Sequence, residues 1–410
     1  MSLEFVKVVE QVQRMGRYLG HLNTSLSSRI ELALQLFYAA DDLDAVHDRI
    51  DLVRNSSVSG YRGAAPVPRP YSEIIPGVGA APAVPERATI IAADGSQIYP
   101  DQHESALYYL INIGLFVYYH GEARLPTPFT HPELYFSESA LKDKDGRAVN
   151  NQTVNARRSL MEMQWLARET WARRASDAQP MLTIHDGGLL KFFGGTDIPD
   201  AAQIETDYME ALQKLNDADA LLIGYGDRPR STTLISLLHL LRLQPYEIND
   251  AVLRTNGDLE GLTDAMLLAH VLEPGERSAL LVQNSPQNKE YRDRKGKDFE
   301  IAFFYMNVAE SNRPVIVRVD LPMWVAREPG AVNAVHALVL SQCNIQGRRR
   351  YPYVLTRADE LAYVSSIEKG QLDELIRVAM LRNQTQPEAS NKLQTKDLAR
   401  GVRRKYRLGA

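Results

Sequence analysis

Cysteine, excess charge and long apolar runs are all scarce in this chain, and each scarcity excludes something. Cys343 is the single cysteine in 410 residues, so neither a disulfide framework within the chain nor a cysteine-rich zinc site can form. That usage suits a reducing compartment, and a cytoplasmic location is expected. The formal net charge of −4 excludes a polybasic nucleic-acid binder, so any DNA site has to be a local patch or a metal-containing groove. The opening "MSLEFVKVVEQVQRMGRYLG" carries charge in every turn and does not read as a signal peptide. The longest apolar stretch, "SALYYLINIGLFVYYHG", is broken by Asn112 and Gly114 and rich in Tyr, Ile, Val and Phe. It reads as a long buried strand, and no membrane association is expected. There is no internal repeat beyond a short Asp-Gly echo and no recognisable nucleotide loop, which argues against a small-molecule phosphohydrolase. What remains is an ordinary globular composition, 44% hydrophobic and 24% charged, with length for two or three domains or one elaborated domain.

Apolar residues at 3-4-3 spacing predict helices over residues 1–54: Val12, Met15, Leu19 and Leu22 form one stripe, and Leu43, Val46, Ile50 and Val53 another. Thr24 to Ser28 offer a break and a cap. Such a helical arm either packs on its own domain or faces a partner. The two stripes exceed what a short linker needs, so the arm is expected to cover a second subunit or a partner protein rather than enter the core. Residues 55–87 are dense in Pro, Gly, Ser and Ala and read as a linker or irregular wrap. A compact domain follows over 88–382, then a basic tail over 383–410. Strands are predicted at 88–98, 105–119, around 133–137 and at 181–185, with helices at 152–177 and 202–216. "DALLIGYGD" is a further strand and "STTLISLLHLLRL" a helix with Ser231 as its cap. "IAFFYMNVAE" and "RPVIVRVDLP" pair antiparallel, and a last helix covers 368–382. Strands alternating with helices in this way give a mixed α/β class.

Two phrases repeat one design. "ATIIAADGSQI" and "PMLTIHDGGLL" each run an apolar strand into Asp-Gly, at Asp94 and Asp186. Asp-Gly is ordinarily a turn signal. Two matched occurrences also suggest two strands delivering carboxylates to one place. A pair of carboxylates at strand ends, partly desolvated, repel and raise each other's pKa, and a hard divalent cation removes that penalty. The glycine that follows allows a turn or the close approach of a ligand. The helix between them, "NARRSLMEMQWLARETWARR", places Glu162 and Glu169 seven residues apart on the face that carries Trp165 and Leu166. An acid on a buried face needs a partner. That partner is either one of the helix arginines (Arg157, Arg158, Arg168, Arg173 or Arg174) or a metal shared with the aspartates. Strand-Asp, helix-Glu, strand-Asp suits two ions about 4 Å apart, clamping the attacking and leaving oxygens of a phosphodiester. Further on, "GRRRYPYVLTRADELAYV" sets Arg348, Arg349 and Arg350 beside Tyr351 and Tyr353. Arginine with aromatics can hold phosphates and stack bases, and an ordinary basic loop leading into a helix explains the run equally well.

Taken in order, "AADGS", the Arg-rich helix with its glutamate, "HDGGLL", "IGYGDRPRSTTL", "FEIAFFYMNV", "VIVRVDLPMWV" and "RYPYVLTRADELA" resemble the NurA nuclease family over residues 88 to about 365. The resemblance implies an RNase H-like core and a Mn2+- or Mg2+-dependent DNase, with two ions per active site. The implied activity is 5′-to-3′ exonuclease and single-strand endonuclease action. It also implies a homodimer working with a HerA-type hexameric translocase in DNA-end resection and repair. Asp94 and Asp186 match the family's metal aspartates. The helix glutamate stays open: Glu162 has the better local context, and Glu169 lies two turns nearer Asp186. Tyr351 matches the tyrosine before Pro352. Asp359 stands where the family has histidine; it cannot act as an imidazole ligand but can bind a hard metal. With that departure, a non-catalytic DNA-end adaptor or regulator of the translocase is the alternative reading. In the nuclease reading, Tyr351 and Asp359 orient substrate or complete the coordination, and the arginines, Tyr353 and the tail guide DNA.

Overall fold

A computed structural model describes residues 4–384 except 56–59, 143–145, 147, 195–197, 293–297 and 312. In chain order the elements begin with helices α1 (Phe5–Tyr38) and α2 (Leu43–Asn55) and strands β1 (Ala64–Pro66), β2 (Val78–Gly79), β3 (Ala88–Ile98), β4 (Tyr109–His120) and β5 (Thr127–Tyr135). Then come α3 (Glu138–Leu141), α4 (Asn151–Arg173), β6 (Met181–Asp186), α5 (Ala201–Asn216), β7 (Leu221–Gly226), α6 (Thr233–Arg242), α7 (Asp250–Leu253) and α8 (Asp264–Leu268). The rest are β8 (Arg277–Ser278), β9 (Leu281–Gln283), α9 (Pro286–Arg292), β10 (Ile301–Asn307), β11 (Ile316–Pro322), α10 (Met323–Ala326), α11 (Pro329–Ile345), α12 (Tyr353–Ala362) and α13 (Ser366–Arg382). The fold is α/β, with mixed sheet, flanking helices and N-terminal helices. Among the described residues no helix is long and apolar enough to cross a membrane.

Two compact units share the chain. The first takes residues 1–85, 187–190 and 221–352; the second takes 86–186, 191–220 and 353–410. In the first unit β9, β10, β11 and β7 follow one another with β1 at the β9 edge, every pair antiparallel. The expected β10–β11 hairpin is present, Phe304 opposite Val319. Its core joins Phe37, Ile50, Leu237, Leu268, Phe303 and Tyr305. The second half of the N-terminal arm is therefore part of a core: Leu26, Ala33, Phe37, Val46, Ile50 and Val53 are all buried in it. This departs from the expectation that the arm would stay outside. The first turns of α1 keep an exposed stripe, with Phe5, Val9, Val12, Met15 and Tyr18 all more than half exposed; the side chains of Leu19 and Leu22 of the expected stripe lie outside the described ones.

Local signals failed at three further places for physical reasons. α1 runs straight through Thr24 to Ser28, since mid-helix Ser and Thr cost only tenths of a kcal/mol each. The stop comes at Ala39, and Asp42 Oδ1 accepts from the N–H groups of Asp44 and Ala45 to start α2. Within the expected linker over 55–87, residues 60–85 supply β1, β2 and the buried Tyr61, Val67 and Ile75. The start of α6 is satisfied chiefly by Asp264, thirty residues away in sequence. Its carboxylate accepts from the N–H groups of Leu234 and Ile235 and from the hydroxyls of Thr233 and Tyr305. Ser231 Oγ accepts from the N–H of Thr233 at the longer distance of 3.4 Å. Residues 385–410, most of the expected basic tail, lie outside the described residues.

The second unit holds the mixed sheet β6–β3–β4–β5. β3 pairs antiparallel with β4 over its whole length and parallel with β6. β5 starts earlier than expected, at Thr127, opposite Val117. α4 lies against β3 and β6, where Thr170 Oγ1 is 3.2 Å from Thr183 Oγ1. α12 lies against β3 and β4: Asn112 Nδ2 donates to Ala362 O at 2.8 Å, and the Ser96 hydroxyl donates to the same carbonyl. Gly114 makes that approach possible. A Cβ there would fall 2.3 Å from Ala358 O and 2.4 Å from Ala362 N.

Candidate active site

The β3–β6 pairing explains why the chain repeats strand-Asp-Gly. The strands run parallel with Thr89 beside Met181 and Ala93 beside His185. Asp94 and Asp186 are each the next residue, so they occupy matching positions on neighbouring strands and share a face. The dipeptide is not a turn at Asp94: β3 continues through Gly95 to Ile98, with Asp94 opposite Gly114. At Asp186 the strand does end, and Gly187 follows with φ +89°. α12 covers the face of Asp94 and Ser96, and Asp359 of that helix is exposed.

The opposite face belongs to α4. Gly95 and His185 point that way by alternation, and Glu162 meets them both. A Cβ on Gly95 would sit 2.6 Å from Glu162 Oε1 and 2.8 Å from Arg158 Cγ. His185 Nε2 is 3.2 Å from Glu162 Oε2, and Arg158 Nη1 is 3.2 Å from Oε1. Arg158 also donates to Gly95 O at 2.7 Å. Glu162 is only 4% exposed, yet its Oε1 has no hydrogen bond. Because Gly95 has no side chain, little separates this carboxylate from Asp94 one residue away.

These acids act on each other. Burial first, then the charges of Glu162 and Asp186 and, more weakly, Asp359 push the Asp94 carboxyl up to about 7, and the Gly95 N–H bonded to Oδ1 at 2.8 Å opposes the rise. Such a cluster fits a hard divalent cation by donor type: it offers carboxylate oxygens, their mutual repulsion would be relieved by positive charge, and one buried oxygen, Glu162 Oε1, accepts no hydrogen bond. The ligands are not gathered in advance. Among the described residues no group of three or more His, Cys, Asp or Glu side chains stands ready to hold a metal. The spread over two faces of one strand pair accounts for that.

The other sequence candidates fall elsewhere. Glu169, half-buried, is held by Arg173 one turn on and does not figure among the charges acting on Asp94. Arg348 and Arg349 are exposed in the first unit. Arg350 is 7% exposed, with φ +51°, and its guanidinium is engaged by Glu310 and Asn344. Tyr351, in the same unit, packs edge-on against Tyr225 at 5.3 Å. Tyr353 opens α12 and sets its ring against Phe116 and Tyr118. Arg158 is one of the five arginines the sequence offers as a partner for the helix glutamate, and it pairs with Glu162; His185 is not among the sequence candidates. The available signal for His185 was its position one before Asp186, which alternation turns toward the buried helix.

The comparisons with known proteins agree with the resemblance. The family description "NurA domain" matches residues 88–364, about two thirds of the chain. No curated protein matches. Among solved structures, that of the NurA nuclease from Sulfolobus solfataricus is similar with a TM-score of 0.53 at 11% identity, covering 92% of this chain and 98% of the other. A structure described as NurA bound to dAMP and manganese has a TM-score of 0.38 at 12% identity, covering 90% of this chain and 96% of the other. A further NurA structure gives 0.41 at 11% identity over 73% and 90%. The likeness to the Sulfolobus solfataricus structure is one of fold, while the match over residues 88–364 shows that the chain belongs to the NurA family.

Proposed function

We propose that the protein is a metal-dependent deoxyribonuclease whose cation is held by Asp94, Asp186 and Glu162. The observation that carries this reading is the matched placement of Asp94 and Asp186 on parallel neighbours, with the unbonded Oε1 of buried Glu162 beside Gly95. Membership of the NurA family supports it. When bound, a divalent cation such as Mn2+ or Mg2+ makes water a better nucleophile at neutral pH and offsets charge on the phosphodiester. Asp94 keeps Oδ1 on the Gly95 N–H and offers Oδ2. Asp359, exposed on α12, helps orient the scissile strand or completes the coordination. Arg348 and Arg349 are the free phosphate-binding candidates of the basic run; Arg350 is committed to Glu310. Glu169 has its own partner in Arg173 and serves structure.

The finer parts of the reading are an RNase H-like core, two ions per site, 5′-to-3′ exonuclease and single-strand endonuclease action, a homodimer and a HerA-type translocase partner. The exposed stripe of α1 supports a protein partner. The test is cleavage of labelled single-stranded DNA in Mn2+ by wild type, Asp94→Ala and Asp186→Ala. Loss of cleavage in both variants is expected, and equal cleavage by all three would overturn the proposal. A second reading, a non-catalytic DNA-end adaptor, draws on the absence of a gathered ligand set among the described residues and on Asp359 in a histidine's place. It requires DNA or translocase binding by wild type with no metal-dependent cleavage.

A further inference from the structure

His185 is fully buried, and neither of its ring nitrogens has a hydrogen-bond partner. An imidazole buried without a partner is costly. The polar group in contact with it is Glu162, whose Oε2 lies 3.2 Å from Nε2, within reach of a hydrogen bond once the two groups align. The remaining surroundings set the direction of the argument. Glu162 Oε1 lies against Gly95, the one position where β3 has no side chain to block it, with Arg158 3.2 Å away. The two oxygens of this carboxylate therefore face different tasks: one faces a buried ring and the other faces the strand that carries Asp94.

We infer that His185 is the positioning residue for Glu162, donating from Nε2 to Oε2 and so reserving Oε1 for the cation. This rests on the proposed metal site. A carboxylate on a flexible stem can rotate about its last bond and present either oxygen or both. With Oε2 tied to a ring that is itself locked in the core, that rotation is removed, and Oε1 stays beside Gly95. Outer partners of metal ligands commonly act this way, by fixing orientation, and their removal typically weakens metal binding 10–100-fold. Arg158 has a complementary role: its guanidinium, 3.2 Å away, balances the buried Oε1 charge. The alternation of β6 accounts for the adjacency, because the residue before Asp186 must point to the α4 side whenever Asp186 points to the α12 side.

The experiment measures Mn2+ affinity of the full chain by the free-Mn2+ electron paramagnetic resonance signal, with thermal melting as a check on folding. His185→Phe removes the donor and keeps the bulk; His185→Gln keeps a donor at similar reach. His185→Phe is expected to weaken Mn2+ binding about ten-fold, and His185→Gln to stay within about three-fold of wild type. In a Glu162→Gln background the His185→Phe change is expected to have no further effect, because the group it positions is gone. If His185→Phe does not fold, His185→Met, which adapts to irregular space, replaces it. Wild-type affinity in a folded apolar variant, equal weakening by His185→Gln and the apolar variant, or an undiminished effect in the Glu162→Gln background would each overturn the inference. Asp94→Ala separates it from the reading beneath it. If that variant binds Mn2+ as wild type does, both fall; if it loses binding while the His185 variants do not, only the role of His185 falls.

Discussion

Asp94→Asn should make the metal-free protein more stable, and the effect should depend on pH in a defined direction. The Asp94 carboxyl is pushed from its ordinary 3.8 up to about 7 by burial and by Glu162 and Asp186. A carboxyl whose folded pKa exceeds its unfolded one keeps its proton longer in the folded state, so stability is lost as pH rises from about 4 to about 7. At pH 8 the full shift of roughly three units corresponds to a penalty of about 4 kcal/mol, each unit being about 1.4 kcal/mol. The asparagine is itself partly desolvated, so about 2 kcal/mol is the expected gain, or roughly 4–8 °C in melting temperature for a unit of this size. At pH 4.5, which lies only a little above the ordinary value of 3.8 and well below the folded one, the same linkage leaves about a quarter of the effect. The assay is thermal unfolding of wild type and variant at both pH values in chelator, repeated in millimolar Mn2+. Added cation should reverse the order, because it binds the wild-type carboxylates and not the folded variant's weakened set. A variant less stable than wild type at pH 8 in chelator would refute the reasoning, as would a gap that does not change with pH.

Gly114→Ala should lower stability by about 1–3 kcal/mol and displace α12, because the new Cβ meets backbone atoms of that helix rather than a movable side chain; an unchanged melting curve would contradict the packing described. Glu162→Gln should weaken Mn2+ binding at least ten-fold, whereas Glu169→Gln should leave it within about two-fold and cost roughly 1–3 kcal/mol of stability, since it neutralises one partner of the half-buried pair with Arg173; titration of both variants with Mn2+ distinguishes them. Removing residues 1–25 should reduce self-association or translocase binding while leaving the melting transition in place, because among the described side chains of α1 Leu26 is the first buried in the core; sizing chromatography and a pull-down with a HerA-type translocase check it, and unchanged behaviour in both would remove α1's stripe as an interface.

Much of this protein could be read directly from its residues. The apolar runs 88–98 and 181–186 are strands because β-branched and aliphatic residues fill both faces of a buried sheet, and the Arg-rich segment after Asn150 is a helix with that residue as its cap. The repeated Asp-Gly marked both aspartates, and the ordered motifs pointed to the NurA family. Sequence spacing could not say that β3 and β6 pair parallel with Ala93 beside His185, which alone puts Asp94 beside Asp186. A shift of one residue would have sent them to opposite faces. Nor could it choose between Glu162 and Glu169, seven residues apart on one helical face: only the packing of α4 over Gly95 sets one carboxylate against the strand and leaves the other to Arg173. The same division runs through α6, whose start looked to be capped by Ser231 and is held by Asp264 from a distant turn. Propensity and periodicity act over a few residues and are visible in the string; register, helix docking and long-range hydrogen bonds are set by how separate segments meet, which the folded chain alone decides.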